Sequence, residues 1–110
     1  MSSKLLVIIG TGDKEKAVAG LMYSRNVLKN EWLDDVKVVF FGPSEKLAAF
    51  DPEIKWFIKE IATRGAIFAC KAVSDKLGVS ESLGKIGVKV EYVGTIVSNA
   101  IKEGYLPMVW

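Results

Sequence analysis

Histidine is absent from this sequence of 110 residues, and cysteine occurs once, as Cys70. The first absence excludes Ser/His/Asp and Cys/His catalysis and any zinc site built on imidazole; neither a metal nor a bound cofactor is expected. The second excludes an internal disulfide and makes a reducing cytoplasm the natural compartment. Long apolar runs are missing too. Stretches such as Leu5 to Ile9 and Val38 to Phe41 fall far short of the about 18 residues that span a bilayer, and the first is shorter than the ~7–15-residue core of a signal peptide. Neither membrane insertion nor export is expected. A surplus of one charge is also lacking. Fifteen Lys and Arg stand against thirteen Asp and Glu, a net charge of +2, and their interspersion offers nucleic acid no basic stripe.

What is present is ordinary globular material. Half the residues are apolar and a quarter charged, and a chain of this length fits one domain spanning 1–110. Leu5 to Ile9 reads as a strand covered on both faces and ends at Gly10. From Lys14 to Lys29, Val18, Leu21, Met22 and Leu28 recur at helical spacing. Val36 to Phe41 is again strand-like and closes at Gly42-Pro43, after which Ser44 is the expected cap of a helix through Leu47 and Phe50. Pro52 restarts that helix, and Ile54, Phe57, Ile58 and Ile61 form an i, i+3, i+4, i+7 stripe ended by Gly65.

Ala66 to Ala69 predicts a short buried strand delivering Cys70, followed by a short helix carrying Val73 and Leu77 and stopped by Gly78. A further turn or helix through Leu83 precedes Val88 to Tyr92, whose alternation with Lys89 and Glu91 is that of an edge strand. Ile96, Val97, Ala100 and Ile101 mark the last helix. Tyr105 to Trp110 reads as a final strand that Pro107 confines to an edge. Alternating strands and helices with short connections predict a three-layer α/β/α sandwich around a mainly parallel five-stranded sheet. The inner strand order stays open. Ligands of such sheets bind at the carboxyl ends of the strands, here the loops Gly10–Asp13, Gly42–Ser44, Cys70–Lys71 and Gly94–Thr95.

Gly10, Thr11, Gly12 and Asp13 could cradle an anion at a helix start, or form a tight turn in which Thr11 or Asp13 caps the helix. Glu15 stands where a dinucleotide fingerprint needs glycine, and Asp13 opposes a phosphate by charge. Trp56 falls off its helix's apolar stripe, and with Tyr105 and Trp110 it suggests an exposed aromatic surface for a partner subunit. Cys70 has two readings. Apolar neighbours Ile67, Phe68 and Ala69 suit an inert core thiol, whereas a strand-to-helix junction with Lys71 beside it favours a thiolate.

Three stretches together resemble the DsrE/DsrF-like family of small sulfur-relay proteins over nearly the whole chain. They are Gly12-Asp13-Lys14 with Lys16-Ala17, the strand Val36 to Phe41 with Gly42, and Gly65 through Cys70-Lys71 leading to Leu77-Gly78. Gly87-Val88-Lys89-Val90, a helix and a closing hydrophobic strand complete the pattern. In the sulfur-relay members the cysteine after the third strand takes up sulfane sulfur as a persulfide and passes it on, and Cys70 matches that position. The resemblance implies a catalytic Cys70, donor and acceptor proteins for sulfur, and a homo-oligomer, trimer or hexamer. It assigns no role to Lys71. The alternative is a noncatalytic module that holds a small ligand or partner with Gly10, Thr11, Gly12, Asp13, Gly42 and Lys71.

Overall fold

A computed structural model describes residues 2–110. Five strands and six helices alternate among them: β1 (Lys4–Ile9), α1 (Lys14–Lys29), β2 (Asp35–Phe40), α2 (Ser44–Phe50), α3 (Pro52–Ala62), β3 (Ala66–Cys70), α4 (Lys71–Leu77), α5 (Ser80–Lys85), β4 (Lys89–Glu91), α6 (Val93–Lys102) and β5 (Leu106–Val109). The sheet runs β4-β3-β2-β1-β5 with every pairing parallel. The alternating strand and the proline-bearing strand are therefore the two edges, as their patterns require. The inner order β3-β2-β1 follows the chain.

Strand alternation divides the core into two layers. Leu5, Val7, Ile9, Val36, Val38, Phe40, Ile67 and Ala69 face α1, α2, α3 and α5, where the Ile54, Phe57, Ile58 and Ile61 stripe of α3 is buried in full. Burying each such side chain contributes about 1.5–3 kcal/mol. On the opposite face Leu6, Val39, Phe68 and Cys70 pack with Val93 and Ala100 of α6 and with Tyr105. This second layer is thinner, because α6, ten residues long, is its main cover and α4 adds only Val73.

The chain ends of the helices settle several details. Asp13 caps α1, its carboxylate accepting the Lys16 amide at 3.0 Å, while Thr11 Oγ1 accepts the Asp13 amide at 3.0 Å. Asp51 caps α3 through the amides of Glu53 and Ile54, and Pro52 then occupies the first turn, where its missing N–H costs nothing. Ser44 is not the cap of α2. Pro43 holds that position, and the Ser44 hydroxyl instead donates to the Ile9 carbonyl, tying the outlet of β2 to that of β1 at 2.5 Å. Gly94 and Thr95 are likewise not a loop; they lie in the first turn of α6, and β4 exits at Tyr92.

The expected aromatic surface contracts to fewer members. Trp56 is exposed, with the Arg25 guanidinium 5.0 Å from its ring centre. Tyr105 is buried, and Trp110 is half-buried against α1 at Gly20. No helix among the described residues is long and apolar enough to cross a membrane.

Candidate functional site at the carboxyl end of the sheet

Parallel pairing brings the outlets of all five strands to one end of the molecule. Cys70 is the last residue of β3 and the residue that starts α4, with extended backbone (φ −68°, ψ 117°). Its side chain lies at the rim of the thinner core layer, 7% exposed, among Phe68, Val93 and Val73. No side chain caps α4, and its first turn carries no acidic residue. The one acidic residue of the helix, Asp75, lies beyond that turn and is paired with Lys71.

Lys71 follows directly but is turned toward its own helix. Its ammonium lies 2.6 Å from Asp75 Oδ2 and 5.8 Å from the centre of the Tyr92 ring. The bond to Asp75 raises the lysine's pKa above its usual range and, together with Ser80, holds the Asp75 carboxyl below its own. Ser80 also meets Ser74 at 2.6 Å, closing a small polar network behind the first turn of α4. That network links α4 to Ser80 at the start of α5.

The Gly10–Asp13 segment is a satisfied turn. Besides the Asp13 and Thr11 bonds, the Gly10 amide donates to the Trp110 carbonyl at 2.9 Å, which stitches β5 to the same end. Two of these four residues, Gly10 and Gly12, carry no side chain; a Cβ on Gly12 would stand 3.1 Å from Pro43 Cβ, and one on Gly10 would lie 3.6 Å from the Phe41 carbonyl oxygen. Gly42 adopts φ +91°, a left-handed conformation that favours glycine. The sequence candidates thus share one end of the sheet, but the structure divides them among the outlets of β1, β2 and β3.

Glu45 is the residue that sequence reading missed. It is fully buried, one carboxylate oxygen accepts the Gly42 amide at 3.1 Å, and the other, Oε1, has no partner among the described residues. Burial pushes its pKa up to about 7, and the Gly42 bond only partly offsets this. A signal did exist. Glu45 lies three and four residues before Ala48 and Ala49, on the buried face of α2. Among the described residues no cluster of Cys, Asp or Glu could hold a metal ion.

Comparison with known proteins places the fold. The chain is similar to a conserved protein of unknown function from Bacteroides thetaiotaomicron, BT1422, at a TM-score of 0.86 and 26% identity, over 98% of this chain and 95% of that one. It is also similar to MTH1491 of Methanobacterium thermoautotrophicum, another protein of unknown function, at a TM-score of 0.77 and 16% identity, over 98% and 99% of the two chains. The YchN protein of E. coli matches at a TM-score of 0.77 and 10% identity over the full length of both. No family model and no curated protein matches the chain. The architecture is therefore one shared by small conserved proteins.

Proposed function

We propose that this protein is a cytoplasmic sulfur carrier in which Cys70 holds sulfane sulfur as a persulfide. The observation that carries the reading is the position of the single cysteine, at the outlet of β3 and the start of α4, in a fold whose ligands gather at that end. The sequence resemblance to DsrE/DsrF-like proteins supports the same role. In the forward step the Cys70 thiolate attacks the outer sulfur of a donor persulfide. The donor S–S bond breaks, the donor thiolate leaves with the electron pair, and a new S–S bond forms on Cys70. An acceptor thiolate then attacks that outer sulfur and releases Cys70 as thiolate, so no net oxidation or reduction occurs. Neither step needs histidine, a metal or a cofactor.

The reading includes a homo-oligomer, a trimer or hexamer. Exposed Phe41, Trp56 and Tyr92 support it, since closed symmetry would cover them. The functional test is incubation of wild type and Cys70→Ser with a low-molecular-weight persulfide, read by intact mass. A gain of one sulfur on the wild type, reversed by reductant and absent from the variant, is expected. No gain, with a folded thiol that also resists alkylation, overturns the carrier and leaves Cys70 a core residue. A monomer's mass by light scattering at micromolar concentration overturns the oligomer.

A further inference from the structure

Between the turn that leaves β2 and the flank of α4 lies a groove of about 350 Å³, walled by Gly42, Pro43 and Lys46 on one side and Val73, Lys76 and Leu77 on the other. We propose that this groove binds a small organic anion, its carboxylate or sulfonate held by Lys46 and Lys76 and its apolar body laid against Pro43, Val73 and Leu77. The proposal is independent of Cys70 chemistry.

Size and shape fit the class. Pockets for small molecules run from about 300 to 1,000 Å³ and combine apolar lining with a few charged groups. The two helices that carry the walls, α2 and α4, have seven residues each, a span too short to seat an extended peptide. Charge selects the sign of the ligand. Lys46 and Lys76 are both exposed and, among the described residues, neither has a carboxylate partner, and the neighbouring acids are occupied. Asp75, beside Lys76, is bound by Lys71 at 2.6 Å, and Asp51, at the far end of α2, is bound by Lys14 at 3.1 Å. Glu45, beside Lys46, is buried and turned back to the Gly42 amide. The lining of the groove thus combines two lysines with the apolar Pro43, Val73 and Leu77 and contains no acidic residue.

The walls are also held in place. Glu45 fixes the Gly42 turn from within, and α4 ends abruptly at Gly78 in a left-handed conformation (φ +72°). A preorganised site loses less freedom on binding.

The test is a titration with octanoate, followed through backbone amide NMR shifts. Saturable shifts at Gly42, Lys46, Val73 and Leu77 are expected. Octanol is expected to bind at least about tenfold more weakly, and Lys46→Gln/Lys76→Gln to lose a similar factor for octanoate. The control pair Lys59→Gln/Lys102→Gln removes the same charge elsewhere and should leave affinity unchanged, and Cys70→Ser should bind like wild type. Absence of saturation, shifts confined to another surface, equal binding of octanol, or equal loss in both lysine pairs would each overturn the proposal. Sulfur loading of Cys70 is read separately by mass, so failure of one reading leaves the other standing.

Discussion

At the amino end of the sheet the polar groups meet one another. The Tyr105 hydroxyl donates to Asp35, the ammonium groups of Lys4 and Lys37 lie 5.3 and 4.7 Å from the Tyr105 ring centre, and Lys37 pairs with Glu103. Burial, reinforced by Asp35, pushes the Tyr105 phenol up to about 12, so it stays a donor throughout the working pH range. At the carboxyl end, buried groups are left over. Among the described residues Glu45 Oε1 and Trp110 Nε1 have no partners, and Cys70, at the N-cap of α4, makes no side-chain capping bond and no disulfide. A buried polar atom without a partner costs about 1–3 kcal/mol. One end of the sheet is finished as structure, while the other carries the unmatched groups that chemistry and binding need.

The sharpest test of the finished end is Gly65→Ala. An added Cβ would stand 2.9 Å from the Val36 carbonyl oxygen and 3.0 Å from Leu28 Cδ1. A ladder carbonyl cannot step aside, so urea unfolding should show a loss of about 2–3 kcal/mol. Gly84→Ala, where the Cβ meets nothing within 4 Å, should instead gain up to ~1 kcal/mol from helix propensity. Similar outcomes for both would remove the claim of tight closure.

Glu45→Gln probes the unfinished end through pH. The folded pKa is raised to about 7 from 4.5, so the folded state holds the proton more tightly than the unfolded chain. Below about pH 4.5 both states are protonated and no penalty exists; it grows as pH rises toward 7 and is full above that. Wild type should therefore lose on the order of 3 kcal/mol relative to Glu45→Gln between pH 4.5 and 8, in urea midpoints taken at each pH. Parallel profiles for the two proteins would mean that Glu45 finds a partner when ionised.

Tyr105→Phe removes the donor to Asp35 and should cost about 1 kcal/mol by the same measurement. A neutral result would show that the amino-end network is not cooperative. The smallest effect belongs to Lys71→Ala. Its pair with Asp75 is solvated, at 42% and 48% exposure, so the urea midpoint should not move measurably. Sulfur uptake by Cys70 should persist as well, since Lys71 is bound to Asp75; its loss would assign Lys71 a direct role.

The sequence by itself determined what depends on short-range pattern. The β-branched runs, the stripe of α3, the alternation Val88 to Tyr92 and Pro107 specify five strands, their helices and both sheet edges, because neighbours along the chain set these periods. It also pointed to Cys70 and to a cap at Thr11 or Asp13, each readable from its immediate surroundings. Tertiary structure alone decided the inner order β3-β2-β1, the burial of Tyr105 and the meeting of Lys46 with Lys76 across a groove. It also decided the fate of Glu45. In the chain Ser44-Glu45-Lys46 looks like a solvated helix start, and only the packing of α2 against β2, α3, α4 and α5 takes that carboxyl out of water. Desolvation is a property of everything that surrounds a group, and those surroundings come from segments distant in the chain.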